Sequence, residues 1–183
     1  GGGQNEPPAV WALEGNSVIK VSTTAIDSIL SSLSGDQVGA IYSWVYASKG
    51  AYFVGYSLPA TTLVYDITSQ RWHERKSFLD GSLGAFRVAS VVKAYNRILC
   101  GDILDGRIGE LTDDVYTEYG NNIIRRIATQ PFQNNMQSLF VPNMELTIES
   151  GVGNEDAPDP QITLERSKDG KTWSGGISRS MGK

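Results

Sequence analysis

Carboxylates gather between residues 102 and 114, and this stretch is the densest source of potential chemistry in the chain. Its members are Asp102, Asp105, Glu110, Asp113 and Asp114. Such a set could hold calcium or provide the carboxylate pair of a glycosidase. The spacing lacks the Asp-x-Asp-x-Asp-Gly rhythm of a calcium loop, however, and every member except Glu110 lies in a predicted turn, where Asp is favoured for backbone reasons. We therefore expect turn residues rather than a metal site or a catalytic pair.

The chain contains few of the residues that nucleophilic catalysis requires. The chain has one histidine, His73, and one cysteine, Cys100, so a triad or a zinc site would lack a second imidazole. Cys100 lies in an apolar run and is expected to be a small buried hydrophobe, although a thiol–base pair with His73 stays open because sequence does not fix their separation. No glycine-rich phosphate loop is present. We predict a protein that is not an enzyme, with no catalytic, metal-binding or cofactor-binding residues.

Two further patterns suggest carbohydrate binding. Ser167–Trp173 is similar to the Asp-box turn of sialidases, with one residue fewer between Asp169 and the glycine, and such turns are structural because the Asp bonds nearby backbone amides. Aromatic residues that could line a carbohydrate or protein groove are Tyr42, Trp44, Tyr46, Tyr52, Tyr56, Tyr65 and Trp72. Strand alternation instead predicts that Trp44 is buried together with Tyr42 and Tyr46.

Composition indicates a globular protein without a broad nucleic-acid footprint. The 183 residues are 40% hydrophobic and carry a formal net charge of -4, with a pI near 5.0. Binding the phosphate backbone requires clustered Lys and Arg. The short basic clusters, Arg71–Lys76 and Arg125–Arg126, are expected to be solvated strand faces. No apolar stretch is long enough to span a membrane, and the start carries no export signal, so we expect no membrane partner and an unsecreted protein.

A repeated pattern must position these residues. Ser43–Glu74 and Ser90–Glu118 each read as four short strands, and Val10–Val21 echoes their second half as a hairpin. A unit that recurs at roughly 45 to 50 residues is typical of propeller blades. Two copies and one echo are too few to close a ring. The sequence therefore predicts either blades outside this fragment or sheets packed as a sandwich, with Phe78–Phe86 as a connecting loop.

The remaining segments complete the predicted organisation. Apolar spacing predicts one short helix over about 24–33, capped by Thr24 with Asp27 and stopped at Gly35. We expect a flexible segment over 1–9, blade-like β repeats over 10–119 and a second antiparallel β module over 120–183, with truncation at its end as a further expectation. That module would contain longer strands over 123–129 and 137–150 and a final hairpin, 161–173, turning at Asp169-Gly170. The predicted class is mainly β, with propeller-like blades of antiparallel strands.

An ordered set of motifs resembles a known family. The motifs are Val10–Gly15, Lys20–Asp27, Tyr65–Arg75, Gly101–Leu111 and Pro158–Gln161, and the match runs from about residue 4 to residue 182. They look like the packaged-DNA stabilisation, or tail-hub, proteins of short-tailed bacteriophages.

The resemblance implies a structural virion protein of the phage tail, assembled in the bacterial cytoplasm. It implies that the longer parent protein forms a homo-oligomeric ring, contacts the portal-adaptor ring and the tail needle, and closes the channel without reading a nucleic-acid sequence. The alternative left open by the residues is a propeller-type glycan-binding or glycan-hydrolysing module.

Overall fold

The computed structural model describes residues 7–132, 135, 139–148, 153 and 158–181. Two compact units divide the chain, Gly1–Arg125 and Arg126–Lys183. The domain bounds expected from the sequence, 1–9, 10–119 and 120–183, stay predictions. No helix within the described ranges has the length and apolar character needed to cross a membrane.

The first unit is built from short antiparallel strands, which confirms the predicted mainly β class. Its elements are β1 (Trp11–Glu14), β2 (Ser17–Lys20), α1 (Thr24–Ser31), α2 (Gly35–Gly39), β3 (Tyr42–Ser48), β4 (Ala51–Ser57), β5 (Thr62–Asp66), β6 (Arg71–Leu79), β7 (Ser82–Ala85), β8 (Val88–Ala94), β9 (Arg97–Asp102), β10 (Ile108–Glu110), β11 (Thr117–Glu118) and β12 (Asn121–Asn122). Within each sheet, neighbouring strands are consecutive in sequence.

The first repeat copy forms a five-stranded sheet in the order β3-β4-β5-β6-β7. Four strands were predicted, and the fifth lies in the segment Phe78–Phe86 that was expected to be a loop. That expectation was wrong because Asp80 and Gly81 both adopt positive φ, 50° and 79°, the conformation of a two-residue hairpin turn that matches strand twist. The turn lets β7 pair back onto β6.

The second repeat copy forms a sheet of three strands, β10-β9-β8, rather than the predicted four. The predicted fourth strand leaves the sheet, since Thr117 and Glu118 pair with Asn122 and Asn121 instead. Sequence similarity between the copies therefore does not carry over to strand pairing at this outer edge.

The N-terminal hairpin of β1 and β2 was predicted correctly, and its turn contains Gly15 at φ 59°. The helix begins at Thr24 and ends at Ser31, within the predicted span of about 24–33. The predicted cap was wrong, because Thr23 rather than Thr24 is the N-cap and accepts from the amide of Ile26. Asp27 takes no part in this cap and accepts instead from Ser22 and Lys20.

A second helix was not predicted. Ser34 and Gln37 form a reciprocal capping box, in which each side chain accepts a hydrogen bond from the other's backbone amide. Such a box satisfies two amides that a helix start otherwise leaves free. Gly35 therefore begins α2 instead of stopping α1.

Both faces of the five-stranded sheet are covered. Leu63 on one face packs with Ile26 and Leu30 of α1. Val64 on the other face is fully buried and packs with Val88 and Cys100 of the three-stranded sheet. Because successive strand residues point to opposite faces, the alternation within β5 places one sheet between a helical layer and a second sheet.

The second unit contains β13 (Gln161–Leu164) and β14 (Ile177–Ser180), paired antiparallel. The chain reverses at Asp169-Gly170 as predicted, where a bridge joins Ser167 and Trp173. The predicted bounds of this hairpin, 161–173, were wrong, because the strand that pairs with β13 is β14 at 177–180. The longer strands predicted over 123–129 and 137–150 were wrong where the structure describes them, since 123–129 and 139–148 pair with no strand among the described residues. Residues 137, 138, 149 and 150 lie outside the described residues.

Candidate functional site

The carboxylates singled out in the sequence all have polar or charged partners. Asp102 and Asp105 bind Arg87, Glu110 lies 3.5 Å from Arg97, Asp113 contacts Ser48 and Lys49, and Asp114 bonds with Thr112. Among the described residues, no group of three or more His, Cys, Asp or Glu side chains is arranged to hold a metal ion. The predicted turn position was wrong for Asp102, which ends strand β9 and pairs with Val88.

Arg87 is the centre of this network, and sequence reasoning missed it. Its side chain is almost entirely buried, its Nε donates to Asp102, and its Nη2 donates to Asp105 at 3.0 Å. Its backbone amide donates to Ser77 Oγ at 3.1 Å. A lone Arg flanked by Phe86 and Val88 in a hydrophobic stretch was the available signal, since a charge in such a place requires a buried partner.

The network extends from Arg87 to the segment that left the second sheet. The ring of Tyr119 lies 4.7 Å from the guanidinium of Arg87 and 4.0 Å from that of Arg107. Ser77 Oγ donates to Glu118 at 2.8 Å, and burial raises the pKa of Glu118. Hydrogen bonding from Arg107 lowers the pKa of Asp105 to about 2. The hydrogen bond between Ser77 and Glu118 and the stacking of Tyr119 on two guanidiniums thus hold the hairpin of β11 and β12 against the blade-like sheets.

The aromatic residues mostly form core, as expected. Trp44 is buried, with Tyr42 and Tyr46 packed against the same cluster. The guanidinium of Arg75 lies 5.1 to 6.0 Å from the rings of Trp44, Tyr46, Phe53 and Phe86. Cation–π contacts of this kind stabilise a partly buried guanidinium.

Cys100 and His73 show no sign of activation. Cys100 lies in the core against Val64 and Val88, and burial raises the pKa of its thiol. Burial also lowers the pKa of His73, with a further contribution from Arg75. A thiol with a raised pKa is a poor nucleophile because the thiolate is the reactive form.

Asp169 confirms the structural interpretation of its turn. Its Oδ1 accepts from the amides of Lys171 at 2.8 Å and Thr172 at 2.7 Å and from the hydroxyl of Ser167. These hydrogen bonds, led by that of the Thr172 amide, lower the pKa of the carboxyl well below its usual range. Gly170 takes φ 72°, which completes the turn.

An apolar cavity of about 330 Å³ lies beside α1 in the first unit. Its wall includes Val10, Trp11, Ile26, Leu30, Tyr56 and Trp72. The indole of Trp72 closes one side by donating to the carbonyl of Val21 at 2.8 Å. The lining offers shape and apolar surface rather than reactive groups.

The outward face of the three-stranded sheet carries exposed apolar side chains. Val92, Leu99 and Glu110 form one cross-strand row, and Ile108 lies in the next. Val92 is 59% exposed and Ile108 is 77% exposed. Exposed apolar side chains concentrated on one face are typical of an interaction surface.

Comparison with known proteins gives a family match for this chain. The model of the family described as "Bacteriophage P22 Gp10, beta-propeller" matches residues 1–116, which cover the N-terminal hairpin, the first repeat copy and the second copy except for its last two residues. No curated protein matches the chain.

Proposed function

The chain belongs to the phage stabilisation family typified by Gp10 of bacteriophage P22, and from this premise we propose that it acts as a tail-hub component that closes the portal channel. Membership makes it a structural protein of the phage virion that stabilises packaged DNA. The match over residues 1–116 is the observation that carries the proposal. The finer roles are contact with the portal-adaptor ring and the tail needle, and a homo-oligomeric ring formed by the full-length protein in the bacterial cytoplasm.

The packing of the first unit supports a mechanical role. The five-stranded sheet is covered by a helical layer on one face and by a second sheet on the other. Arg87 joins Asp102 and Asp105, which lie at and beyond the end of β9, to Ser77 on β6. Well-packed interiors have low compressibility and transmit strain. A plug that resists pressurised DNA requires such a body.

Charge supports the same role. The chain carries a formal net charge of -4, and like charge repels DNA phosphates rather than retaining them. A channel wall with this property can block DNA by shape and still release it when the tail opens. Holding DNA by phosphate contacts would instead require clustered Lys and Arg.

The glycan alternative gains no support from the described residues. Asp169 is fully occupied by hydrogen bonds within its own turn. Trp44 is buried and Tyr46 is partly covered, so neither offers an open ring face to a sugar.

The test is DNA retention. Phage lacking the gene for this protein should package DNA and then lose it, so that electron microscopy shows filled heads early and empty heads later. Supplying the wild-type gene in trans should restore filled heads. Heads that keep their DNA without the protein would contradict the tail-hub role.

A further inference from the structure

The turn between β8 and β9 carries an almost fully exposed aromatic side chain. Tyr95 is 93% exposed and, with Asn96, forms the two-residue turn that follows the Ala94–Arg97 pair. The φ of Tyr95 is 52°, in the left-handed region that bulky residues rarely adopt. Asparagine and glycine suit a turn of this kind better. The chain therefore holds a ring in solvent at a strained position, and such strain concentrates at functional positions.

The apolar cavity beside α1 has the size and lining to receive such a ring. Its volume of about 330 Å³ exceeds the roughly 150 Å³ of an apolar cavity that binds benzene. Trp11 and Val38 in its wall are 48% and 40% exposed, so this side of the cavity meets solvent. Tyr56 adds a hydroxyl for which the described residues provide no hydrogen bond. A phenol can therefore bury its ring here and pair its hydroxyl with that of Tyr56.

Tyr95 cannot reach the cavity of its own chain. The cavity lies on the face of the five-stranded sheet that carries Leu63 and packs against α1. The sheet of β8 and β9 packs against the opposite face, which carries Val64. The five-stranded sheet thus stands between the turn of Tyr95 and the cavity, and only another molecule can supply a ring to it.

The turn that carries Tyr95 is basic. Lys93 and Arg97 flank it, and residues 91–99 contain no carboxylate. Arg97 lies 3.5 Å from Glu110 of β10, whereas Lys93 has no ion pair within the described part of the chain. The charge of Lys93 is therefore available to a partner.

The layer around the cavity is acidic. Residues 7–41 contain three carboxylates and one cation. Lys20 pairs with Asp27, which leaves Glu14 on β1 and Asp36 on α2 without an ion pair among the residues that the structure describes. Both β1 and α2 contribute to the cavity wall. Because a basic turn and an acidic surround occur in the same chain, charge complementarity favours a second copy as the occupant.

We propose that Tyr95 of one copy inserts into the cavity beside α1 of a second copy. The two surfaces differ, so the contact is head-to-tail and can repeat from copy to copy. Such a contact gives a ring when the rotation closes and a filament when it does not. The proposal specifies a contact for the homo-oligomer of the proposed function and rests on that part of it. It is tested on purified protein, so its failure is distinguishable from a failure of the channel role, which DNA retention measures.

Two variants that each remove one half of the contact test the proposal. Tyr95→Asn removes the ring and places in the turn a residue that tolerates positive φ. Val38→Trp fills the cavity from its exposed side. Sedimentation velocity over a range of concentrations should show self-association of the wild-type chain. Each variant alone should associate at least about tenfold more weakly, as is usual when an aromatic anchor is lost.

A mixture of the two variants distinguishes this contact from other modes of association. The Val38→Trp chain keeps its Tyr95 and the Tyr95→Asn chain keeps its cavity, so each pair can form one intact contact. A 1:1 mixture should give a heterodimer with close to the wild-type affinity and no larger species. A mixture that stays monomeric would overturn the proposal, as would a wild-type chain that does not self-associate.

Stability and a second tyrosine provide the controls. The urea midpoint of Tyr95→Asn should equal or exceed that of the wild type, because the ring is almost fully exposed and Asn relieves the turn. Tyr52→Ser removes another exposed ring, on β4, and should leave self-association unchanged. Equal weakening by Tyr52→Ser would show that exposed rings act without specificity and would overturn the proposal. Undiminished self-association of Tyr95→Asn would also overturn it.

Salt provides a measurement on the wild-type chain that requires no variant. Attraction between exposed charges is screened as ionic strength rises, so self-association through a basic turn and an acidic surround should weaken between about 0.05 and 0.5 M salt. Self-association that strengthens over this range would indicate a purely apolar contact elsewhere and would overturn the proposal.

Discussion

The indole of Trp44 lies directly over Gly55, its cross-strand partner in β4. The ring occupies the space that a β-carbon on Gly55 would need. Its Nε1 donates to the buried hydroxyl of Ser57 at 3.2 Å, so the indole cannot swing away without losing this bond. This pair sits at the centre of the contact between the two sheets, where Trp44 packs with Val64 and Cys100.

Gly55→Ala should therefore destabilise the first unit by about 1 to 3 kcal/mol, the usual cost of overpacking a core. Urea unfolding followed by tryptophan fluorescence measures the change. Gly84→Ala is the matched control, because a β-carbon at Gly84 meets no atom within 4 Å and the residue also lies in a strand. Equal effects at the two positions would show that the indole is not the obstacle.

Arg87→Met should cost about 3 to 5 kcal/mol, because it leaves the buried carboxylate of Asp102 without its cation. Arg97→Met is the control. Arg97 faces Glu110 at 3.5 Å and is largely exposed, so its loss should cost less than about 1 kcal/mol. Comparing unfolding midpoints of the two variants measures the difference.

A double variant checks the reason for that loss. Adding Asp102→Leu to Arg87→Met removes the stranded charge and should recover part of the stability, as replacing a whole buried pair by apolar groups often does. If the double variant is instead less stable than Arg87→Met, by as much as an independent substitution in the core would cost, the unpaired charge of Asp102 does not explain the loss of stability.

Stability should fall in acid partly through Asp105. Hydrogen bonding from Arg107 lowers its pKa from the ordinary 3.8 to about 2. A carboxyl with a depressed folded-state pKa stabilises the fold above the unfolded value and loses this contribution as the pH falls through the folded value. The urea midpoint of the native protein should thus exceed that of Asp105→Asn above pH 4, with the gap closing toward pH 2.

The partner residue provides the control for that pH dependence. In an Arg107→Gln background, the difference in urea midpoint caused by Asp105→Asn should lose most of its pH dependence between pH 4 and pH 2. If this difference in urea midpoint changes with pH as it does when Arg107 is present, the acid sensitivity belongs to another group.

Local patterns in the sequence specified much of the fold. The alternation around Trp44 predicted its burial with Tyr42 and Tyr46, and Asp169-Gly170 predicted a tight turn, because both signals act over a few residues. The turn at Asp80-Gly81 carried the same local signal and was missed because it lay between two repeat copies and was interpreted as their connection.

Long-range pairing was the part that sequence could not supply. The similarity of Val115–Glu118 to the start of β6 predicted a fourth strand, yet the contact of Glu118 with Ser77 and the stacking of Tyr119 draw the segment away. Arg87 was missed for the same reason. Its partners lie 15 and 18 residues away in sequence, and nothing in their spacing indicates a buried ion pair.

Cys100 should resist thiol reagents in the native protein. It is 7% exposed, and burial raises its thiol pKa, so both access and thiolate formation are suppressed. Modification then requires opening of the sheet contact. For a domain stable by about 5 kcal/mol, the open fraction is of order 10⁻³ to 10⁻⁴. An aromatic disulfide reagent should therefore react about a thousandfold more slowly with native than with urea-unfolded protein. Val45→Cys with Cys100→Ala should react at nearly the unfolded rate, and equally fast reaction of native Cys100 would show that the two sheets separate readily.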